Sequence, residues 1–425
     1  MEPGRPRITY ITAGAGGMYC GSCIRDNALV GELNEMGWDV TLLPLYTPIR
    51  TDEEDRSVDH VLFGGINVFL QQKIPLFRHL PGFFDRWLDN PKFIRRVASG
   101  NMTVDASHLG AMTLSMVKGE DGYQKREVKK LVRWLKEVAK PDILCLTNLL
   151  VGGSIPALKR ELGIPVYVTL QGDDVFLDEL VEPWQSQVLT AMKSLATQVD
   201  GFITFSEFYR DRMVDLLDID PAKFRITPLG IDTSDFDSVA QSRKAKEPGK
   251  NLGYFARICP EKGFDLIVSA FLKLAEQDND WRLSAGGWLS AKDEEFFEVQ
   301  KQRIFDAHLE DRFVYYGSPD HEGKLNFFGS VDLFCVPARF VEPKGLYILE
   351  AMACGIPVVA PDRGAFPELI AQSGGGLLFE SESVEDLVEK LQDVEPAAGD
   401  MGREWVVENG SRRAMAQATA KIFEA

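Results

Sequence analysis

Residues 340–361 read FVEPKGLYILEAMACGIPVVAP, a sequence typical of a loop, a helix and a strand in succession. A loop that contains Glu342 leads into a helix that starts near Gly345, and the strand Val358–Ala360 follows. Apolar residues cover most sides of this helix, so Glu350 is a carboxylate on an otherwise buried helix and needs a polar partner. The same order of apolar strand, turn and amphipathic helix recurs along the chain with few hairpin signals, which predicts βαβ units and parallel sheets.

Two series of these units are separated by the polar stretch SRKAKEPGK at 242–250. We therefore predict an α/β protein with two Rossmann-like domains, 1–228 and 229–400, and a ligand site in the cleft between them. For 401–425 we expect a C-terminal helix with a path back to the first domain. Residues 48–125 interrupt the rhythm of strands and helices and form a long insertion, which is usually functional or accessory.

The predicted elements are as follows. In the first series the strands are Arg7–Thr12, Val40–Leu45, Ile143–Leu146, Val166–Leu170 and Phe202–Phe205, and the helices are Ile24–Met36, Lys125–Ala139, Ile155–Leu162 and Glu207–Leu217. In the second series the strands are Leu252–Phe255, Leu283–Ala285, Val314–Tyr316, Leu333–Val336 and Val358–Ala360.

Composition excludes several classes of protein. The 425 residues are 45% hydrophobic and 26% charged, which is ordinary for a globular chain of two or three domains. The net charge of −17 argues against a nucleic-acid partner. No apolar run approaches 18 residues and no signal-peptide pattern opens the chain, and six cysteines with one close pair make no disulfide framework. We expect a cytoplasmic protein.

One basic region stands out in this acidic chain. Lys73 to Lys140 holds 14 basic and 7 acidic residues, a local charge of +7. Within it, 77–96 read FRHLPGFFDRWLDNPKFIRR, where five aromatic side chains lie among five basic and two acidic ones. Two interpretations remain open: these residues pack in the fold as the wall of an acceptor pocket, or they make a peripheral contact with an anionic membrane, at its inner face.

Two motifs near the start of the chain invite a ligand. The run AGAGG at 13–17 follows the first strand, and Gly16 and Gly17 would let the backbone approach an anionic group at a helix N-terminus. A tight strand-to-helix turn explains the run equally well, and its spacing is not a dinucleotide fingerprint. Cys20 and Cys23 form a C-x-x-C pair, for which we favour helix packing over a redox or metal site because no second pair follows.

Charged residues of the second series suggest a phosphate site. Arg257 follows a strand and Lys262 precedes a helix, so a guanidinium and an ammonium could cradle a diphosphate, although two solvated side chains are the plainer alternative. Glu342 and Glu350 stand eight residues apart, and a pair of sugar hydroxyls would satisfy a buried carboxylate. Free N–H groups at 345–347 could also meet a phosphate.

These motifs resemble those of the retaining glycosyltransferases of family 4, which have the GT-B fold. ARICPEKGFD at 256–265 resembles their R-x-x-x-x-K phosphate pair. Glu342 and Glu350 reproduce their two glutamates separated by seven residues, and Pro228–Asp232 resembles their P-N-G-V-D hinge with leucine in place of asparagine. The opening GAGGMYCGSCIRDNALVGEL also resembles bacterial glycogen and starch synthases. The resemblance covers nearly the whole chain and is strongest over 225–380.

The resemblance implies a role for each matching residue. Arg257 and Lys262 would bind the donor diphosphate and stabilise the departing nucleoside diphosphate, and Glu342 would hold the donor-sugar hydroxyls near the reacting carbon. Glu350 would bind the ribose hydroxyls. The enzyme would need no metal and no cofactor beyond its nucleotide-sugar donor. The other donor-binding residues would be Gly16, Gly17, Gly286, Ser318, Gly345 and Leu346.

The acceptor side departs from the family pattern. Histidines are usual in the segment Cys145–Asn148 and at the position of Gln171, and this chain has neither. Glutamine can donate a hydrogen bond but cannot shuttle a proton. Our acceptor-side candidates are Gln171, Asp173, Asp174 and Asn148.

The leading hypothesis is a retaining, metal-independent hexosyl-type transferase of polysaccharide biosynthesis. Its acceptor would be a glycan, a lipid-linked glycan or a small molecule. The alternative is a weakly active or inactive nucleotide-sugar-binding protein on the same scaffold, which the missing histidines motivate.

Overall fold

The structure is a computed structural model that describes residues 4–14, 21–51, 54–58, 61–63, 106–244 and 249–424. The backbone divides into two compact units. The first unit is Met1–Thr227 together with Met415–Ala425, and the second is Pro228–Ala414. Each unit is built around one parallel sheet.

The described part of the first unit contains a six-stranded parallel sheet in the order β2-β1-β3-β4-β5-β6. Because β1 lies between β2 and β3, the chain reverses its direction of winding across the sheet at this strand. The strands are β1 (Arg7–Thr12), β2 (Asp39–Pro44), β3 (Ile143–Leu146), β4 (Val166–Thr169), β5 (Gly201–Thr204) and β6 (Phe224–Ile226).

Helices connect these strands, as parallel pairing requires. A turn of π-helix, Leu135–Ala139, continues the third helix directly. The helices are α1 (Gly21–Glu35), α2 (Ala106–Lys118), α3 (Lys125–Trp134), α4 (Ile155–Leu162), α5 (Asp173–Asp178), α6 (Trp184–Ala196) and α7 (Glu207–Leu217).

The first unit has a hydrophobic core on each face of its sheet. Along β1, Ile8 and Tyr10 belong to one core and Ile11 to the other, because successive strand residues point to opposite faces. The core around Tyr10 also contains residues from the end of the chain, among them Met415 and Phe423. The last helix of the chain therefore completes the first unit.

The second unit also contains a six-stranded parallel sheet among its described residues, in the order β12-β11-β10-β7-β8-β9. This is the order of a doubly wound dinucleotide-binding sheet, and the winding reverses between β7 and β10. The strands are β7 (Asn251–Phe255), β8 (Arg282–Gly286), β9 (Phe313–Tyr315), β10 (Leu333–Phe334), β11 (Val358–Pro361) and β12 (Gly376–Phe379).

Helices of the second unit flank this sheet, and the final helix leaves it for the first unit. They are α8 (Asp237–Lys244), α9 (Phe264–Gln277), α10 (Glu294–Asp306), α11 (His321–Ser330), α12 (Leu346–Ala353), α13 (Phe366–Ser373), α14 (Val384–Asp393), α15 (Ala397–Asn409) and α16 (Arg412–Glu424).

The predicted α/β class with two Rossmann-like sheets is confirmed. All ten predicted strands have counterparts, and the two that the sequence did not reveal, β6 and β12, lie at sheet edges. Both are partly exposed, so their apolar signal is weak. Residues 77–96 and most of the insertion at 48–125 lie outside the described residues.

Candidate active site

The loop after β7 carries Arg257, the first of the predicted phosphate ligands. Its backbone carbonyl accepts a hydrogen bond from the Tyr254 hydroxyl at 2.9 Å. The next residue, Ile258, donates its N–H to the carbonyl oxygen of Trp288 at 2.9 Å. The β7 loop is thereby tied to the loop after β8, at the carboxyl edge of the sheet.

Lys262 is positioned by a short turn and a glycine. The 3-10 turn Pro260–Lys262 ends at Gly263, which has a φ of 71° and precedes α9. A Cβ at Gly263 would lie 2.0 Å from the carbonyl oxygen of Pro337, in the segment after β10. The absence of a side chain at 263 therefore allows the β7 loop and the β10 loop to pack together.

Lys262 and Glu342 form an ion pair between these two loops. The Lys262 Nζ lies 2.6 Å from the Glu342 Oε2, and the Tyr347 hydroxyl donates to the same oxygen at 3.0 Å. The ammonium also lies 4.4 Å from the ring centroid of Phe340 and 4.9 Å from that of Tyr347. The side chains of Lys262 and Glu342 are only 14% and 8% exposed. Lys262 and Glu342 belong to different sequence motifs, yet they form one ion pair where the winding of the sheet reverses.

The Tyr347 hydroxyl remains a hydrogen-bond donor at neutral pH. Burial raises its pKa well above the ordinary value, and the Glu342 carboxylate beside it raises the pKa further. The tyrosine therefore stays protonated and fixes the orientation of the carboxylate. Tyr347 lies between Glu342 and Glu350 in the sequence, but the sequence alone predicted no role for it.

The backbone of Glu342 is held by the loop after β11. Its carbonyl accepts the N–H of Ala365 at 2.9 Å. Gly364 has a φ of 68°, and a Cβ there would lie 2.5 Å from the Glu342 carbonyl oxygen and 2.7 Å from its nitrogen. Glycine at 364 is therefore required for this close backbone contact.

Glu350 has the polar partner that a carboxylate on a mostly buried helix needs. Its Oε1 lies 3.1 Å from the Nζ of Lys324 on α11, and the two side chains are 18% and 14% exposed. Lys324 was missed by the sequence reasoning, because nothing in the sequence near it points to a site. Only the tertiary structure brings Lys324 and Glu350 together.

The remaining donor-side candidates also lie at the carboxyl edge of this sheet. Gly345 has a φ of 92° and precedes α12, whose first residue is Leu346. Gly286 ends β8, and the next N–H, that of Gly287, donates to the carbonyl of Gly317 at 2.7 Å. Since Ser318 follows Gly317, the loops that hold Gly286 and Ser318 are joined directly. Gly16 and Gly17 lie outside the described residues.

In the first unit, Gln171 is committed to internal hydrogen bonds. Its Nε2 lies 2.9 Å from both the carbonyl oxygen and the hydroxyl of Thr147, and 3.5 Å from the Asp26 Oδ1. An amide nitrogen has two hydrogens, so these acceptors use its donor capacity. Asn148 accepts the N–H of Val151 at 3.1 Å and caps a 3-10 turn.

Asp173 and Asp174 are also held by internal bonds. Asp173 accepts the N–H of Leu149 at 2.7 Å and that of Gln171 at 3.2 Å, and burial raises its pKa to about 7. Asp174 accepts the Tyr209 hydroxyl at 2.6 Å and pairs with Arg212. These contacts give both aspartates a structural function, and their acceptor-side roles stay predictions.

Neither a metal cluster nor a membrane-spanning helix occurs in the described part of the chain. Among those residues, no group of three or more His, Cys, Asp or Glu side chains could hold a metal ion. Within 4–14, 21–51, 54–58, 61–63, 106–244 and 249–424, no helix has the length and apolarity needed to cross a membrane.

A cavity of about 860 Å³ lies at the opposite, amino edge of the second sheet. Two basic residues of its lining already have carboxylate partners: Lys250 bonds Asp278, and Arg403 lies 2.5 Å from Asp237. The loops of the candidate site are at the carboxyl edge, where sheets of this order bind ligands. The Lys262–Glu342 pair, rather than this cavity, is therefore the candidate site.

Two family models match this chain in succession. The model "Glycosyltransferase Family 4" matches residues 107–235, and the model "Glycosyl transferases group 1" matches residues 235–411. The second match contains Arg257, Lys262, Glu342 and Glu350.

Curated relatives match over part of their length. The lipopolysaccharide core biosynthesis mannosyltransferase LpsB of Rhizobium meliloti is 35% identical over 170 residues, which are 38% of this chain and 47% of that protein. The GDP-mannose-dependent alpha-(1-6)-phosphatidylinositol monomannoside mannosyltransferase of Mycolicibacterium smegmatis is 24% identical over 55% of this chain and 64% of its own. The chain thus spans about half to two thirds of the length of these relatives.

A solved structure matches the whole chain. The sucrose-phosphate synthase from Thermosynechococcus elongatus has a TM-score of 0.69 at 18% identity and covers 99% of this chain and 98% of its own. HepE of Anabaena, solved in complex with UDP, has a TM-score of 0.67 at 14% identity and covers 98% and 99%. At these identities the likeness shows the fold. The two family models together match residues 107–411 and show that the chain belongs to the family 4 glycosyltransferases, and the likeness to the solved structures shows its GT-B fold.

Proposed function

We propose that this protein is a retaining glycosyltransferase that moves a hexose from a nucleoside-diphosphate sugar to an acceptor hydroxyl. The observation that carries the proposal is the Lys262–Glu342 ion pair at the carboxyl ends of β7 and β10. Ligands of doubly wound sheets bind where the winding reverses, and this pair lies there. The first turn of α12 follows Glu342 closely and offers N–H groups to an anion.

Lys262 and Arg257 would bind the donor diphosphate. In this structure the Glu342 carboxylate compensates the Lys262 charge, and a diphosphate would compete for the same ammonium with more than one negative charge. The guanidinium of Arg257 can bind two phosphate oxygens at once. Since two cations and a helix N-terminus would balance the diphosphate, we expect no requirement for a metal ion.

Glu342 and Glu350 would bind the hydroxyls of the donor. Lys262 and Tyr347 both contact the Oε2 of Glu342, so we assign its Oε1 to the donor-sugar hydroxyls. Glu350 would exchange its bond with Lys324 for bonds to the ribose hydroxyls. Gly286 and Ser318, on the joined loops after β8 and β9, would flank the nucleoside.

The configuration at the anomeric carbon is retained if the leaving phosphate acts as the base. The bond between the anomeric carbon and the phosphate oxygen breaks, and the acceptor oxygen bonds to the same face of that carbon. The acceptor proton passes to the departing phosphate. We assign the proton to the phosphate rather than to Glu342, because Lys262 and Tyr347 already engage the Oε2 of that carboxylate and its Oε1 is assigned to the donor sugar. Lys262 and Arg257 would stabilise the negative charge that develops on the leaving group.

The acceptor would be a carbohydrate or a lipid-linked glycan. This proposal draws on the curated relatives, whose names refer to lipopolysaccharide core and phosphatidylinositol mannoside synthesis. The same proposal includes a cytoplasmic location and a peripheral contact between the basic, aromatic segment 77–96 and a membrane.

Nucleotide binding tests the donor site directly. We would measure the thermal unfolding midpoint of the full chain with UDP, GDP and ADP, each with and without magnesium. A ligand that binds the folded state raises this midpoint. We expect one nucleotide to raise it equally with or without magnesium, and the K262A variant to lose the shift. K301A is the matched control, because Lys301 pairs with Glu298 on α10 and should leave the shift unchanged.

The transfer step needs its own measurement. With the nucleotide sugar identified by the binding panel, E342Q should bind the nucleotide normally but transfer sugar far more slowly. Full transfer by E342Q, or an absence of shift with every nucleotide, would contradict the proposal.

One observation favours a second candidate, a nucleotide-sugar-binding protein without transferase activity. Gln171 stands where the family usually has histidine, and its amide nitrogen is already committed to Thr147. Hydrolysis of the donor above the rate without protein, or any transfer product, would eliminate this candidate.

A further inference from the structure

The first unit contains a buried ion pair that the proposed donor site does not use. On α1, the Arg25 Nη1 donates to the Tyr10 hydroxyl at 2.6 Å and to the Asp26 Oδ1 at 3.0 Å. The side chains of Arg25 and Asp26 are both 0% exposed. The ring of Phe205 covers the guanidinium, with 4.9 Å between the Arg25 Cζ and the ring centroid.

Three buried atoms of this pair have no hydrogen-bond partner in the described part of the chain. They are the Nε and Nη2 of Arg25 and the Oδ2 of Asp26. The hydrogens on Nε and Nη2 point in the same direction along one edge of the planar guanidinium, and this edge is the one that binds two oxygens side by side. Buried polar atoms normally have partners, so a two-donor fork and an acceptor left unpaired indicate a ligand.

The position of the pair supports this interpretation. Arg25 lies in the helix that follows β1, and the winding of the first sheet reverses between β1 and β3. The Tyr10 hydroxyl that it contacts also bonds the Thr169 hydroxyl of β4 at 2.5 Å. In addition, the Asp26 Oδ1 lies 3.5 Å from the Gln171 Nε2, in the loop after β4. The pair therefore lies where a sheet of this order binds ligands.

The chemistry of the three atoms selects the ligand. A carboxylate or a phosphate diester could accept from the Arg25 fork, but neither has a hydrogen to donate to the Asp26 Oδ2. Hydroxyl groups accept and donate, so neighbouring hydroxyls could satisfy all three atoms. The pair is also neutral overall, which favours a neutral ligand in a buried site. We propose that Arg25 and Asp26 form a sugar-hydroxyl subsite in the first unit.

This inference rests on the proposed function, because the sugar would be either the acceptor or the hexose transferred from the donor. Both sources present the same neighbouring hydroxyls. Because Arg25 and Asp26 are enclosed, a sugar reaches them only when a neighbour such as the Phe205 ring moves aside.

Sugar binding can be measured without catalysis. We would record saturation-transfer NMR spectra of the full chain with methyl α-mannopyranoside and, separately, methyl α-glucopyranoside. R25K keeps the positive charge beside Asp26 but loses the planar fork, so we expect at least about tenfold weaker binding, in line with the strength of charged hydrogen bonds. D26N replaces one carboxylate oxygen with a donor and should weaken binding similarly. R7K is the matched control, since Arg7 also bonds a carboxylate, that of Asp39 at 2.8 Å, but stands at the opposite end of β1.

Several outcomes would overturn the subsite. These are hexoside signals equal in R25K, D26N and wild type, no hexoside signal in wild type, or competition by inorganic phosphate but not by hexosides. If R25K does not fold, the R25Q/D26N pair removes both charges together and serves in its place. A purely structural role would lower the melting temperature of R25K and leave its hexoside affinity unchanged, which also contradicts the proposal.

Kinetics separate the two sources of sugar. A raised KM for the acceptor, with normal donor hydrolysis, supports an acceptor subsite. A raised KM for the donor supports a subsite for the transferred hexose. Failure of the proposed function would appear elsewhere, as a missing nucleotide shift in wild type, because R25K should retain that shift.

Discussion

The polar cluster of the second unit and that of the first unit both lie at the carboxyl edge of a parallel sheet, but their charges are satisfied differently. In the second unit, Lys262 contacts Glu342 and two aromatic rings, so a ligand must compete with an internal carboxylate. In the first unit, Arg25 pairs with Asp26 and still has two donors without partners among the described residues. A cation that already has a carboxylate partner favours a highly charged ligand, whereas a guanidinium with two unpaired donors selects its ligand by the direction of hydrogen bonds.

Neutralising the ion pair of the second unit should have the largest effect. In the K262M/E342Q double variant we expect sugar transfer to fall about 10³-fold or more, because the charges that stabilise the leaving group are gone. The free energy of unfolding should change by less than about 2 kcal/mol, since no buried charge is left alone. Single-turnover transfer and urea unfolding measure the two quantities.

The single variant K262M is the control for that result. It leaves the Glu342 carboxylate buried without its cation, at a cost of about 3 kcal/mol. A double variant that is less stable than K262M, or that retains full transfer, would show that the pair is structural and that the comparison between the units is wrong.

Substituting Gly364 should have the next largest effect. In G364A the new Cβ would meet the backbone of Glu342, so the loop must move and we expect a loss of about 2–4 kcal/mol of unfolding free energy together with reduced transfer. Gly355 is a matched control, because its φ is 71° and a Cβ there would meet no atom within 4 Å. G355A should cost about 1 kcal/mol and leave transfer intact. Equal losses in the two variants would exclude a specific contact with Glu342.

The first unit should show its own dependence on pH through Asp173. Its pKa of about 7 is above the ordinary value of about 3.9, so between these values the folded state binds more protons than the unfolded state. The stabilisation is fully present below pH 4 and is lost as the pH rises through 7. The unfolding free energy of wild type relative to D173N should therefore fall by roughly 2–4 kcal/mol from pH 4 to pH 8. A flat difference in urea titrations would contradict this prediction.

Removing the Tyr347 hydroxyl should have the smallest effect. Y347F loses one hydrogen bond to Glu342 but keeps the ring beside Lys262, so we expect kcat/KM to fall about 5- to 10-fold. The melting temperature should change by only a few degrees. A loss as large as that of K262M/E342Q would mean that the hydroxyl, rather than the cation, controls the carboxylate.

The fold could be predicted from the sequence because buried parallel strands produce unmistakable apolar runs. Val358–Ala360 and Ile143–Leu146 were both found this way. The edge strand Gly376–Phe379 was not, because partly exposed edges lack a strong apolar pattern. We predicted one helix over Lys125–Ala139, but its α-helical part ends at Trp134 and a π turn follows. The spacing of apolar residues in the sequence does not reveal this change of hydrogen bonding.

The candidate site was predictable only where one short motif holds its residues. Glu342 and Glu350 belong to one motif, whereas Lys324 lies on a helix with no motif and reaches Glu350 through tertiary packing. Arg25 was likewise missed, since its functional signal is two unpaired nitrogens in the interior. A sequence shows which residue types are present but not which of their hydrogen bonds remain unmade.

Part of the first unit's core comes from α16, about 400 residues after β1, and this separation affects the order in which the two units fold during synthesis. The helix begins in the second unit, while Met415, Ala416, Ala420 and Phe423 are buried in the core of the first. Ile8 and Tyr10, near residue 1, therefore lack part of their core until residues 415–423 have been synthesised. Translation of a chain this long takes tens of seconds at about 5–20 residues per second. During that interval the second unit can complete its core, although the first begins to emerge earlier.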